Sequence, residues 1–139
     1  VLTGAGSTTL PIISLYATAA VGARIREIGL TNTTSTAVAL KLIRLVATGT
    51  QGAALVEAKH DTDSAAATCT AVTTHTVDPT ASAVDLGYRV SLGAAVGAGV
   101  IWTFGDTGIR VPLAATQGVG VIVENGTGQA IQANMVWDE

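Results

Sequence analysis

The run from Ala23 to Val46 restricts the fold more than any other part of the chain. It opens with Ala-Arg-Ile-Arg-Glu-Ile-Gly-Leu-Thr, which places Arg26, Ile28 and Leu30 on one side of an extended backbone. Asn32 to Thr36 follows, rich in side chains that bond their own backbone and so reverse the chain. The second run, Val38 to Val46, puts Val38, Leu40, Leu42 and Val46 on one face at period two, interrupted by Arg44. A helix competes for this segment, with a cap at Ser35 or Thr36, Lys41 and Arg44 as i,i+3 neighbours, and Gly49 as the stop. The Thr-rich entry and the strand before it favour β. Two strands about a polar turn are the unit of an all-β fold.

The rest of the chain repeats that texture. Ile12 to Thr18 alternates, with Ile13, Leu15 and Ala17 opposite Ser14, Tyr16 and Thr18. Further strands are expected at Ala54–Lys59, within Ala67–Val77, at Val84–Leu92, Val100–Phe104, Ile109–Val111, Gly118–Glu124 and Gln129–Trp137. Asp78-Pro79 ends one of them, because proline cannot donate to a ladder. Gly105 to Gly108 and Asn125-Gly126 read as hairpin turns, the second more strongly, since Asn-Gly suits positive φ. Eight or nine short strands without βαβ alternation predict an antiparallel β-sandwich, a jelly roll or a small barrel. At 139 residues the chain fits one domain with a core of its own. The expected division is an N-terminal arm, 1–11, and a single domain, 12–139.

Charged residues are only 12% of the chain, against about 25% in an average protein. Hydrophobic residues are 48% and the mean hydropathy is +0.49. So little charge predicts that part of the outside is buried against other subunits, as in a homo-oligomer or an assembly component. The net charge is −3, and the seven basic residues are scattered along the chain, which argues against nucleic acid as a partner. Cys69 is the one cysteine, so an intrachain disulfide is excluded. Val1 to Ala23 is uncharged, but its Ser/Thr, glycines and Pro11 break any apolar run of the length a spanning helix needs; neither a signal segment nor a membrane partner is expected. The first residues, Val1 to Leu10, are small and flexible and stay disordered unless tied down. Such an arm either folds back on its own domain or lies across a neighbour.

No constellation of residues amounts to a reaction centre. His60, Asp61, Asp63, Cys69 and His75 are metal-ligand types without zinc-site or calcium-loop spacing, and read as a solvated loop with two ordinary histidines. Gly4 to Gly6 and Gly97 to Gly99 are not followed by the Lys-Ser/Thr of a phosphate loop, and the second leads into a strand. The six serines lack a nucleophile-elbow context, and Glu27, Glu57 and Glu124 lie on three different strands rather than flanking one cleft. The five aromatics, Tyr16, Tyr88, Trp102, Phe104 and Trp137, are mostly required for the core, with Trp102, Phe104 and Trp137 as its anchors. The chain is expected to be no enzyme and to take no cofactor and no metal.

Three stretches resemble a group of small structural proteins of tailed bacteriophages. They are Arg26-Glu-Ile-Gly-Leu-Thr-Asn-Thr-Thr-Ser-Thr-Ala-Val38, the glycine-rich run Gly93 to Gly105, and the ending from Gly126 through Val136-Trp-Asp-Glu139. The resemblance implies a virion component on the capsid surface, a decoration or cement protein with a jelly-roll-like sandwich, assembled as a homo-oligomer, a trimer in preference to another small oligomer, and bound to the major capsid protein. Other virion parts (a head-fibre base, a tail component or a receptor-binding knob) are the alternative, and a sugar-binding sandwich module is a third. The residues expected to contact a partner are Val1, Leu2, Leu10 and Ile12.

Overall fold

The computed structural model describes residues 1–80 and 83–139, and among them it is all-β, with nine strands and no helix. In chain order these are β1 (Ile13–Tyr16), β2 (Ala23–Asn32), β3 (Val38–Leu45), β4 (Thr70–Thr73), β5 (Val84–Leu92), β6 (Gly99–Thr103), β7 (Ile109–Val111), β8 (Gly118–Asn125) and β9 (Ile131–Asp138). They form two antiparallel sheets, as expected of a β-sandwich. The larger has the order β4-β1-β8-β3-β5. In the smaller, β2 is central: β9 lies along one edge, while β6 and β7 follow one another along the other.

Among the described residues no strand pairs with its neighbour in sequence. β2 and β3 stand in different sheets, so Asn32–Thr36 is an arch across the sandwich. The same holds for the Asn125-Gly126 turn, which carries the chain from β8 to β9 rather than closing a hairpin. Gly105–Gly108 is not a hairpin either, because the strands on both sides of it pair with β2. Turn chemistry specifies a reversal of the chain and says nothing about which strand the chain meets next. Asn32 holds its arch from within. It is wholly buried, its Nδ2 donates to the carbonyls of Thr36 (2.8 Å) and Gly93 (2.9 Å), and its Oδ1 accepts from the Thr34 amide and hydroxyl.

The main core lies between the sheets. Ile13 and Leu15, Ile25, Ile28 and Leu30, Leu40 and Leu42, Val119, Val121 and Val123, and Ile131 and Ala133 all point into it. A bulge between Ile25 and Glu27 shifts the register of β2, so Ile25 joins Ile28 and Leu30 inside while Arg26 turns outward; this corrects the simple alternation expected there. Arg44 shares the inward parity of Leu40 and Leu42. It escapes burial by reaching from the larger sheet to the Arg110 carbonyl on the smaller one (2.9 Å).

A second, smaller core sits on the outer face of the larger sheet: Tyr16, Ile43, Leu45, Val72 and Ile122. It is roofed by the segments around Ala47–Gly52 and Thr74–Pro79, tied together where the Thr76 amide donates to the Thr50 carbonyl and Tyr16 Oη to the Ala47 carbonyl. Gly52 lies so close to the Thr73 and Thr74 carbonyls that no Cβ fits there. Because of this roof β1 is buried on both faces, where the sequence indicates one. The expected strand at Ala54–Lys59 reduces to one bridge, Ala54 to Val72, because β4 is too short to hold a longer neighbour.

Residues 1–11 are not a free arm. Val1 and Ala133 exchange backbone hydrogen bonds, the Thr3 amide donates to the Ile131 carbonyl, the Gly4 amide to Thr74 Oγ1, and the Val123 amide to the Ser7 carbonyl. The accessible surface, 6588 Å², is close to the roughly 6,700 Å² that a compact monomer of this mass exposes, which leaves nothing for a projecting segment.

Candidate interaction surface

The four residues expected to meet a partner are not brought together. Ile12 is completely buried and belongs to the main core, and Leu10 is half-buried in a turn closed by Ser7. Val1 and Leu2 are 46% and 64% exposed, and Leu2 bridges Gln132 as an extra edge of β9.

The metal-type residues disperse likewise. His60, Asp61 and Asp63 lie exposed on a turn, and no group of three potential ligands forms among the described residues. Cys69 is buried with its Sγ 3.8 Å from the Val21 carbonyl, and burial, then the adjacent Glu139, pushes its thiol up to about 11. That is the setting of an inert thiol. His75 is the clear correction to the sequence reading, since it is buried rather than solvated. Its Nε2 is 2.9 Å from Ser14 Oγ, its ring tilts against Tyr16 at 5.8 Å, and Nδ1 has no hydrogen-bond partner among the described residues. The pair looks like part of a hydrolase triad, but Ser14 is fully buried and among the described residues no carboxylate orients the imidazole. Ser82 lies outside the described residues.

Two open depressions stand out on the surface of the described residues. One, about 520 Å³, is lined by Tyr16, Thr18, Thr48, Thr50, Gln51 and Thr70, and holds no group suited to acid–base work near neutral pH, since burial raises Tyr16 far above its ordinary value. The other, about 360 Å³, gathers Arg24, Arg26 and Arg110 beside Asp138 and Glu139. With Arg44 reaching the Arg110 carbonyl, the fold therefore brings four of the seven basic residues to one end, although they are scattered in sequence. Most of that charge is already engaged: Arg26 binds Asp138 and the carbonyls of Gly105 and Asp106, and Arg24 binds the Thr107 carbonyl. Glu139 is engaged as well. Burial opposes its ionisation, but donors from Thr68 Oγ1, the Thr68 and Cys69 amides and Trp137 Nε1 hold its carboxyl down at about 2.

What remains is a surface with little charge and large apolar side chains in the open. On the outer face of the smaller sheet, Leu2, Gln132 and Thr31 form one row, Asn134, Gly29 and Ile101 the next, and Val136, Glu27 and Thr103 a third. Glu27 is the single charge in those three rows. Ile101 is 63% exposed on this face, and Val96 is 73% exposed in the β5–β6 connection. Beneath them, Tyr88 packs edge-on to Phe104 at 5.1 Å and against Trp102 at 6.2 Å, closing the side of the sandwich. Of the expected anchors, Trp102 is buried in the core while Phe104 and Trp137 are half-buried against it. No protein-family model, curated protein or solved structure matches the chain.

Proposed function

We propose that this chain is a non-enzymatic structural protein of a tailed-phage virion, which decorates the capsid surface and braces contacts between subunits of the major capsid protein. The observation that carries the reading is a normal-sized surface with too little charge to cover it: at 12% charged residues, Leu2, Val96, Ile101 and Leu113 stand half or more exposed. The three phage-like stretches supply the identity of the assembly. The mechanism is mechanical. A rigid sandwich laid across a subunit joint adds contact area that must be re-exposed before the subunits part. At about 25 cal/mol per Å², an interface of standard size offers ample gross driving force after the cost of association.

Quantitative mass spectrometry of purified virions tests the reading. Copy numbers near those of the major shell subunit, or a fixed fraction set by the shell's symmetry, support decoration. A handful of copies moves the protein to a vertex or the tail, and absence from particles ends the virion reading.

A further inference from the structure

The sheet edges are guarded unequally. The outer edge of β4 is covered through the Ala54–Val72 bridge and the Leu55 amide on the Ala71 carbonyl, and β9 is covered by Val1–Thr3. β5 is bent at Gly87 (φ 82°), where the Asp85 side chain folds onto the Gly87 amide, and it carries the Arg89–Asp85 and Arg89–Glu124 ion pairs. β7 is three residues long, displays Arg110 and runs into Pro112. These are the usual devices that stop strand edges from pairing with other chains. β6 has none of them. From Val90 to Gly105 the chain carries no charge and no proline, and among the described residues β6 has a strand partner on one side only, β2.

The backbone of β6 is arranged for a symmetric partner. The Asn32 amide donates to the Ala98 carbonyl (2.7 Å) and the Phe104 amide to the Arg26 carbonyl (3.0 Å). Hydrogen-bonded residues alternate in an antiparallel ladder, so Val100 and Trp102 also turn their backbones toward β2. Gly99, Ile101 and Thr103 therefore aim theirs outward, and among the described residues no second strand pairs with them, although Tyr88 of β5 packs nearby against Trp102 and Phe104. The outward three are spaced evenly about Ile101.

We propose that β6 is a self-pairing edge, by which two copies of this chain join antiparallel about a two-fold axis at Ile101. Ile101 faces Ile101 of the second copy, and Gly99 faces Thr103 in both directions. Six backbone hydrogen bonds form, and the two smaller sheets become one. Each bulky Thr103 side chain meets a glycine, so the register has no clash on that face. Charge permits the approach as well. The nearest charge on the face, Glu27, lies one strand further in beside Thr103, so the two carboxylates stand three strand spacings apart across the sheet and four residues apart along it, roughly 20 Å and past the screening length of about 8 Å at physiological salt. A β5 edge pairing with its own copy would instead bring Arg89 toward Arg89. The contact is isologous and closes at two subunits, in place of the trimer expected from the resemblance. It stands independently of the virion reading, because the purified chain alone suffices to test it.

Sedimentation velocity over a range of concentrations should show a monomer–dimer equilibrium. Ile101→Lys puts like charges face to face at the axis and should weaken the dimer by at least about a hundredfold, with the circular dichroism spectrum unchanged and a melting temperature equal to that of the wild type at concentrations where it is monomeric. Val96→Lys removes an exposed apolar side chain away from the edge and should leave the dimer intact. Ile101→Cys should oxidise to a covalent dimer, since hydrogen-bonded residues facing each other hold their Cα atoms about 5.5 Å apart, within disulfide reach; Thr103→Cys should not. A wild-type monomer at every concentration, a dimer that survives Ile101→Lys, or crosslinking through Thr103→Cys rather than Ile101→Cys overturns the proposal.

Discussion

Two buried polar residues do opposite things at the scale of a single side chain. Asn32 is saturated: each of its polar atoms has protein partners, and it joins the Asn32–Thr36 arch to Gly93. Asn32→Ala strands the Thr36 and Gly93 carbonyls and should lower stability by about 3 kcal/mol, read from urea midpoints at constant m-value. His75 meets Ser14 through Nε2, in surroundings that disfavour its charged form; burial lowers its pKa below the ordinary 6.5, with the Thr48 backbone opposing the shift. The unfolded chain therefore binds a proton as pH falls through about 6.5 while the folded one resists it. His75's share of stability is intact above that pH and declines below it, until the folded-state pKa is reached. Urea midpoints at pH 7.5 and 5 should separate more in the wild type than in His75→Gln, which can still bond Ser14 but cannot titrate; equal separations would sink this assignment. Asn32 was legible in sequence as a turn residue. The burial of His75 was not, since Thr-Thr-His-Thr carries no period and its partner Ser14 is distant in the chain.

At the scale of elements, strand positions were written plainly in the period-two runs, and β3 follows the strand reading over the helical one. Their partners were not, because alternation tells which face is buried but not what lies beside the strand. The same gap explains the N-terminal residues. Small side chains and no period look like disorder, yet an extended backbone needs only an open edge, and β9 provides one. Removing residues 1–10 re-exposes the Ile131 and Ala133 backbone groups and the roof contact at Thr74. The truncated chain should melt about 10 °C or more below the full one, by circular dichroism. A melting temperature unchanged within 2 °C or so would mean that the edge is not held in solution. Arg24 and Arg110 make the opposite case, since they stand directly opposite each other on β2 and β7. Like charges so placed repel, so Arg110→Thr should raise stability by a few tenths of a kcal/mol and Arg110→Glu by more, with the gain shrinking in high salt.

For the molecule as a whole, the decisive property is that every strand finds its partners far along the chain. β1 must wait for β4 and β8, and β2 for β6, β7 and β9. Loop closure has to be completed before any ladder repays it, and among the described residues no local hairpin is present to nucleate the sheets. The uncharged stretch from Val90 to Gly105 stays exposed during that search, with the unguarded edge of β6 inside it. Sparse charge and non-local topology thus act on the same problem: an exposed apolar surface with few charges is also a surface on which unfolded chains meet. Refolding from urea should be slow for a domain of this size, on the scale of about 0.1 s or longer by stopped-flow fluorescence of Trp102 and Trp137, and its yield should fall as protein concentration rises. Ile101→Lys should restore the yield at high concentration while leaving the rate constant nearly unchanged, because it changes how chains meet one another and not how one chain closes its loops. Submillisecond refolding would mean that the sheets grow from local pairs, against the strand order described above.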